Sequence, residues 1–271
     1  MTLKVYGCRG SAAISHLGGS EYGGNTSCLT IESGSSMLIL DAGSGLLALD
    51  KELFQSPNSF SQLHLLLSHL HMDHICGLPL FTPTLAPTPK LHIYTCPRGD
   101  GGLAKQVLGV FRPPYWPVAV ADVSPALFHK IYPGTSFAVA PFTITPFTNN
   151  HPDNTLGFCI SNRTGKTAIY LLDSEIGALS RKEYTALVEL CNNADIIVFD
   201  AAYSGLDYHA HKGWGHSCVA DGLRLAEDSK CKKMLFSHFS QKYSDSQISS
   251  WIAGLDNEKF ILAHDGLSLS I

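Results

Sequence analysis

Short apolar runs that each end in a polar residue form the main pattern along this chain. Six such runs are bounded by turn residues. Continuous apolar runs of this length predict strands that are covered on both faces. Polar residues at the ends of such strands commonly form ligand sites. The predicted strands span Met37–Asp41, Leu63–Ser68, Thr167–Asp173, Ala194–Asp200, Lys233–His238 and Phe260–Asp265.

Helical periodicity is found in the second half of the chain. Arg181–Asn192 and Ser217–Asp228 carry apolar residues at three- and four-residue spacing. Ser244–Leu255 begins with Ser244 and Gln247, a pair that is typical of a capping box. Because strands and helices alternate, the sequence predicts a layered α/β fold in one domain, residues 1–271. Within it, residues 79–133 hold ten of the fourteen prolines and are interpreted as a lid or a dimerisation insertion, with plain surface packing as the alternative.

The densest cluster of reactive side chains directly follows the second predicted strand. His69, His71, Asp73 and His74 lie within six residues. Buried His and Asp side chains each need a hydrogen-bond partner, so this density has no obvious use in a core. Neutral imidazoles and carboxylates are ligands that zinc, manganese and iron accept. Alternate residues of an extended chain face the same way, which places His69 and His71 on one side. The segment therefore predicts a metal site.

Composition and charge narrow the choice of partners. The formal net charge is −4, which argues against a dominant nucleic-acid-binding surface, although bound metal could still attract a phosphate-bearing substrate. No run approaches membrane-spanning length and Met1–Val5 lacks an apolar signal core, so no membrane association and a cytoplasmic location are expected. The eight scattered cysteines contain no C-x-x-C pair and are expected to be reduced thiols.

The pattern H-x-H-x-D-H, between an apolar strand and Gly77–Leu78–Pro79, closely resembles the hallmark of metallo-β-lactamase-fold hydrolases. The resemblance implies a four-layer αβ/βα sandwich, with two mixed sheets between helices, and two divalent metal ions. Histidine-rich ligation makes zinc the first choice, with manganese or iron as alternatives. The implied ligands are His69, His71, His151 and Asp173 for one ion, and Asp73, His74, Asp173 and His238 for the other.

Two further aspartates are expected to orient histidines of the site through hydrogen bonds. Asp41 matches the family's upstream aspartate and could accept a hydrogen bond from a ligating histidine, or could simply cap a turn. Asp200 could orient His216, which lies at the start of a predicted helix. A histidine there resembles the phosphodiesterase branch of the superfamily. That branch includes tRNA 3′-end endonucleases, the phosphodiesterase of the phosphonate-degradation pathway and cyclic-nucleotide phosphodiesterases.

The resemblance implies catalytic roles for His216 and Asp73. His216 would assist the phosphate or protonate the departing alkoxide, which leaves poorly without a proton. The alternative is a helix-start residue with no catalytic part. Asp73 could accept a proton from the bridging water in addition to binding metal.

A glycine-rich loop, residues 18–26, is the candidate substrate contact. Its residues Gly23, Gly24, Asn25 and Thr26 could offer backbone N–H groups to a phosphate, although such loops are more often only turns. Together with Tyr6–Ser11, the loop looks like the start of small phosphodiesterases in this superfamily.

These features lead us to expect a dinuclear metal-dependent phosphodiesterase that hydrolyses a small phosphodiester, such as a cyclic nucleotide, through a metal-bridging hydroxide. A homodimer is expected from the resemblance alone. One alternative is a lactonase, thioesterase or β-lactamase that attacks a carbonyl at the same metals. Another is a tRNA 3′-end endonuclease, which the acidic balance and the lack of a basic tRNA-gripping arm disfavour. A non-enzymatic metal-bearing binding protein is disfavoured by the complete ligand set.

Overall fold

Strands and helices alternate along the chain, as predicted. The computed structural model describes residues 1–15, 20–34, 36–55 and 60–271. The strands are β1 (Thr2–Gly7), β2 (Arg9–Gly10), β3 (Cys28–Ser33), β4 (Ser36–Leu40), β5 (Gln62–Leu66), β6 (Lys90–Thr95), β7 (Leu127–Lys130), β8 (Phe137–Val139), β9 (Phe142–Thr148), β10 (Leu156–Asn162), β11 (Thr167–Leu171), β12 (Ile196–Asp200), β13 (Met234–Ser237), β14 (Phe239–Ser240), β15 (Phe260–Leu262) and β16 (Ser268–Ser270). The helices are α1 (Leu46–Gln55), α2 (Met72–Ile75), α3 (Thr82–Leu85), α4 (Leu103–Leu108), α5 (Val120–Val123), α6 (Arg181–Leu190), α7 (Gly205–Tyr208), α8 (Val219–Asp228) and α9 (Asp245–Ser250).

Within the described part of the chain, two mixed sheets have seven strands each, and part of each sheet is parallel. The first has the strand order β16-β1-β3-β4-β5-β6-β7, and the second has β15-β13-β12-β11-β10-β9-β8. Strands β4 to β7 run parallel in the first sheet, as do β11, β12, β13 and β15 in the second. Parallel neighbours need crossover connections, and α1, α6 and α8 lie in three of them. The predicted α/β sandwich of two mixed sheets is confirmed.

The central strands, such as β4, β12 and β13, are buried on both faces, which explains their continuous apolar runs. On β4, Leu38 belongs to the core between the two sheets, whereas its neighbour Ile39 packs in a second core with Leu46 and Leu49 of α1. Alternate strand residues point to opposite faces, so each apolar position has a partner layer. Six of the eight cysteines are buried thiols.

Several predicted strands end before the polar residue that was taken as their last. Asp41 and Asp173 follow β4 and β11, and His238 follows β13. All three adopt left-handed backbone conformations, with φ of 58°, 52° and 65°. This conformation is costly for a residue with a Cβ and tends to cluster at functional sites. The turn takes each side chain out of the strand's alternation and towards the gap between the sheets.

The third predicted helix is shorter than expected. The capping box is confirmed, because Ser244 Oγ accepts from the Gln247 N–H and the Gln247 side chain accepts from the Ser244 N–H. However, α9 ends at Ser250, and the predicted end at Leu255 is wrong. Trp251 packs edge-on against Phe239 and Tyr243 instead, so tertiary contacts hold the following turns.

The proline-rich stretch contains both sheet and irregular parts. Its strands β6 and β7 form one edge of the first sheet, while α3, α4 and α5 lie in the connections. Its interpretation as a lid or dimer arm stays a prediction. Among the described residues, no helix has the length and apolar character needed to cross a membrane.

Candidate metal centre

The candidate ligands collect where parallel strands of both sheets end. Asp41 follows β4, and the histidine cluster follows β5, with Asp73 and His74 in the short helix α2. Asp173 and His238 follow β11 and β13. Such carboxyl ends of parallel strands meet at one edge of a sheet. The short parallel pair β2–β14 lies beside them and brings Gly10 against His238. Residues far apart in sequence thus converge on one site.

The first group consists of His69, His71, His151 and Asp173, whose candidate ligand atoms all lie within 4.8 Å of one another. Asp173 Oδ2 is 3.5 Å from Nε2 of both His69 and His151. His71 turns its Nδ1 towards the group, 3.2 Å from His151 Nε2. Three imidazoles and one carboxylate oxygen therefore surround one point.

The second group faces the other oxygen of the same carboxylate. Asp173 Oδ1 is 3.1 Å from Nε2 of both His74 and His238. Asp73 Oδ2 lies 3.4 Å from each of these nitrogens. Asp173 therefore stands between the two groups, with one oxygen directed to each.

The donor set fits divalent metal ions. His69 Nε2 and Asp173 Oδ1 are buried atoms with no hydrogen-bond partner among the described residues. Buried polar atoms are normally paired, so such orphaned donors and acceptors need an explanation. Imidazole nitrogens and carboxylate oxygens are ligands that zinc, manganese and iron accept. Two such ions, one per group, would satisfy these atoms.

Electrostatics in the metal-free site favours the metal-binding protonation state at Asp173, His69 and His151. At His74 and His238 burial lowers the pKa, but the carboxylates, Asp173 foremost, more than offset this and raise it. Burial raises the pKa of Asp173, but the imidazoles of His238, His74 and His69 hold it well below its usual range. Burial lowers the pKa of His69, and the neighbouring His74 lowers it further. Burial also lowers the pKa of His151. Carboxylates and neutral imidazoles are the forms that bind metal.

Asp41 controls which nitrogen of two histidines carries the proton. Its Oδ2 is 2.7 Å from His74 Nδ1 and accepts from Ser68 Oγ at 2.8 Å. Because the carboxylate can only accept, His74 Nδ1 must donate. The Ser68 hydroxyl donates its only proton to Asp41. His69 Nδ1, which is 3.0 Å away, must therefore donate to Ser68 Oγ. Both histidines therefore carry a proton on Nδ1 and direct Nε2 to the site, which is the usual arrangement behind a metal ligand.

His216 lies beside the first group, paired with Asp200. Its Nδ1 is 2.8 Å from Asp200 Oδ2 and 4.0 Å from Asp173 Oδ2. Burial lowers the pKa of His216, but the Asp200 carboxylate more than offsets this and the pKa is raised to about 9. A carboxylate-bound imidazole of this kind can hold a proton next to the metal groups.

Asp73 has one further partner. The Ser11 N–H donates to Asp73 Oδ2 at 2.7 Å, from the loop that follows β2. Burial raises the pKa of Asp73, but His74 and His238 hold it well below its usual range. Asp73 is therefore a carboxylate in the metal-free site.

The candidate substrate loop is occupied by internal contacts. The N–H groups of Gly24 and Asn25 donate to Asp265 Oδ2 at 3.2 and 3.1 Å. The Thr26 N–H donates to Ser44 Oγ, and the Gly23 N–H donates to the Ser20 carbonyl. These four amides have protein acceptors and do not form a free anion site. The predicted loop also includes Gly18 and Gly19, which lie outside the described residues.

One contact beside the site was not predicted from the sequence. Glu175 is buried and accepts from the N–H groups of Gly213 and Gly215, immediately before His216. Glu175 follows Asp173 by two residues in the turn after β11, and two closely spaced glycines precede His216. These two sequence features pointed to the region, although neither shows that the Glu175 side chain contacts the two glycine amides.

Comparisons with known proteins agree with the observed architecture. Residues 37–239 match the beta-lactamase superfamily domain. A ribonuclease Z of Haloferax volcanii is 22% identical over 270 residues, covering 82% of this chain and 82% of that protein. The metallo-beta-lactamase fold protein YhfI of Bacillus subtilis has a TM-score of 0.73 at 19% identity, covering 99% of each chain. A diphosphatase of the PhnP family has a TM-score of 0.70 at 17% identity, covering 100% of this chain and 97% of that one.

Proposed function

This chain belongs to the beta-lactamase superfamily and is a metal-dependent hydrolase, and we propose that it is a dinuclear phosphodiesterase acting on a small phosphodiester, such as a cyclic nucleotide. The observation that carries the proposal is the Asp200–His216 pair beside Asp173. His216 Nδ1 is bound to Asp200, and Nε2 has no hydrogen-bond partner among the described residues. The pair thus offers a proton donor next to a carboxylate shared by two metal groups.

The roles of the chain's own residues follow from these contacts. Divalent ions bound to the two groups would activate water and neutralise charge on the phosphate oxygens. Asp173 would hold both ions together, while Asp41 fixes the tautomers of His69 and His74. His216 would protonate the departing alkoxide, and Asp200 would keep its ring in place. Asp73, held by the Ser11 N–H, would bind metal and accept the proton of the attacking water.

Two zinc ions are the proposed cofactors, with manganese or iron as alternatives. Five histidines make up most of the donor set, and imidazole-rich sites suit zinc. The three carboxylate oxygens that face the groups are equally acceptable to manganese.

An RNA substrate is the second candidate. Two relatives named ribonuclease Z match 82% and 72% of this chain, which favours a nucleic acid as the substrate. The net charge of −4 favours a small substrate instead, because RNA binding draws on clustered Lys and Arg.

The test compares substrates and one histidine variant. The metal-loaded protein is assayed on bis(p-nitrophenyl) phosphate, cyclic nucleotides, a tRNA precursor, a lactone and a chromogenic β-lactam. We expect turnover of the small phosphodiesters. His216→Ala should lower turnover of substrates with alkoxide leaving groups by about 10²- to 10⁴-fold and leave metal content unchanged. His209→Ala, at an exposed histidine in the same loop, is the matched control.

Each other outcome selects a different function. Preferential cleavage of the tRNA precursor would assign the endonuclease activity. Hydrolysis of only the lactone or the β-lactam would assign carbonyl chemistry at the same metals. A metal-loaded protein that is inactive on all of them would be a binding protein. The proposed homodimer is tested separately, by the molar mass in solution from light scattering.

A further inference from the structure

Glu175 is a buried carboxylate surrounded by donors from one loop. Its side chain accepts from the Tyr208 hydroxyl at 2.9 Å, from the Gly213 N–H at 2.8 and 3.0 Å, and from the Gly215 N–H at 3.0 Å. The residue is only 2% exposed. Hydrogen bonds to an ionised acceptor are about twice as strong as neutral ones. These contacts therefore bind the loop strongly to a single carboxylate.

The segment that Glu175 holds leads directly to His216. This segment, residues 204–215, is called the His216 loop below. Much of it is exposed, including Leu206 at 90% and Trp214 at 62%. Gly213 and Gly215 have φ of 87° and 83°, a conformation that favours glycine and turns both amides towards the carboxylate. Without that acceptor, two backbone N–H groups beside the site would lose their partner.

Glu175 also joins this loop to the turn that carries His151. Its own N–H donates to the Asn150 carbonyl at 3.0 Å, and Asn150 Nδ2 donates to the Glu175 carbonyl at 2.8 Å. The carbonyl of Gly215 is in turn 2.8 Å from His151 Nδ1 and accepts its proton. One residue thus connects a metal-group histidine with the loop of the proposed proton donor.

We propose that Glu175 is a positioning residue that sets the place of His216 relative to the metal groups. The inference rests on the proposed role of His216 as proton donor. Glu175 does not contact the metal groups through its side chain, so it acts through Gly213 and Gly215. Misplacing a reactive group by about 1 Å can cost about 100-fold in rate.

Glu175→Gln is the informative variant because it keeps the size of the side chain. The new amide group would face at least one backbone N–H, so a donor would meet a donor. We expect kcat for a cyclic nucleotide, whose leaving group is an alkoxide, to fall by about 10- to 100-fold. KM should stay nearly constant. The loss on bis(p-nitrophenyl) phosphate should be smaller, because nitrophenolate leaves without a proton. Glu189→Gln, an exposed glutamate on α6, is the control.

A double variant separates positioning from general destabilisation. If Glu175 acts through His216, then Glu175→Gln combined with His216→Ala should be no slower than His216→Ala alone. Equal losses on both substrate types, or additive losses in the double variant, would overturn the proposal.

A readout without activity keeps the test independent of the proposed function. Lys212 is exposed within the His216 loop, and Lys230 is exposed elsewhere. Glu175→Gln should accelerate tryptic cleavage at Lys212 about tenfold while cleavage at Lys230 stays unchanged. Unchanged cleavage at Lys212 would show that Glu175 does not hold the loop. If the loop loosens but no phosphodiester is hydrolysed by the wild-type protein, the proposed function fails and the attachment stands.

Discussion

Replacing Asp41 by asparagine should weaken both metal groups, and the second group most. The Asp41 carboxylate accepts four hydrogen bonds: from the Ser68 N–H at 2.7 Å, from Ser68 Oγ at 2.8 Å, from the Tyr170 hydroxyl at 2.7 Å and from His74 Nδ1 at 2.7 Å. Asparagine keeps the oxygen that serves the Ser68 N–H. It places an NH₂ group where Oδ2 accepted the other three bonds.

The three former donors respond differently to that amide. The hydroxyls of Ser68 and Tyr170 can rotate and accept from it, and the proton of Ser68 is then free to go to His69 Nδ1. His74 Nδ1 can accept only if its proton moves to Nε2, the nitrogen that lies 3.1 Å from Asp173 Oδ1. A protonated Nε2 cannot bind metal. Restoring the productive tautomer would cost a charge-assisted hydrogen bond, about 1.5–3 kcal/mol, which corresponds to a loss of about 10- to 100-fold in affinity.

Chelator competition followed by elemental analysis measures this loss. Asp41→Asn should bind the zinc ion held by His74 about 10- to 100-fold more weakly, and should also bind the zinc ion held by His69 more weakly than the wild type does. Tyr170→Phe is the control, because it removes one donor and leaves the carboxylate intact. Wild-type affinity for both ions in Asp41→Asn would refute the tautomer reasoning.

Three other predictions concern metal, packing and pH. Zinc at about 100-fold over its dissociation constant should stabilise the metal-free protein by about 2.7 kcal/mol, and an unchanged melting temperature would contradict the site. Gly10→Ala should lower metal content, because its Cβ would lie 2.5 Å from His238 Nδ1, whereas Gly102→Ala meets nothing within 4 Å and should not. Burial raises the pKa of Asp195, but Lys232, the Thr167 N–H and Lys166 more than offset this and lower it to about 2. A depressed folded pKa stabilises the fold above the unfolded value, about 4, and this contribution is lost as the pH falls through 2. Asp195→Asn should therefore destabilise by about 1 kcal/mol at pH 7, since solvent screens the exposed lysines, and the difference should shrink below pH 4 in urea unfolding.

The sequence predicted the parts of the site that depend on local pattern. His69 to His74 follow an apolar run, and their spacing alone places them together directly after one strand. Asp173 and His238 were found because each follows a buried strand, and the structure brings both to the same point. The backbone turn at these residues could not be predicted, since left-handed φ values at Asp and His have no sequence signature beyond position.

Contacts that use backbone groups were harder to predict. Glu175 has its partners more than thirty residues away, and two of them are amides that every residue except proline carries. The partners of the amides in the loop Gly23–Thr26 were also not predicted from the sequence. Its amides looked free in the sequence, but Asp265, about 240 residues later, accepts from two of them. Only the fold determines where backbone donors go.

The β2–β14 pair gives the site an order of assembly. Arg9 pairs with Phe239 across almost the whole chain, and the Arg9 side chain reaches Asp245. A ribosome must therefore release about 240 residues before the segment beside His238 can close. Contacts of such long sequence separation form late and slowly, because chain entropy opposes them. We expect nascent chains to carry the exposed histidine cluster without its later partners, so that tight metal uptake is delayed until the segment with His238 has left the ribosome.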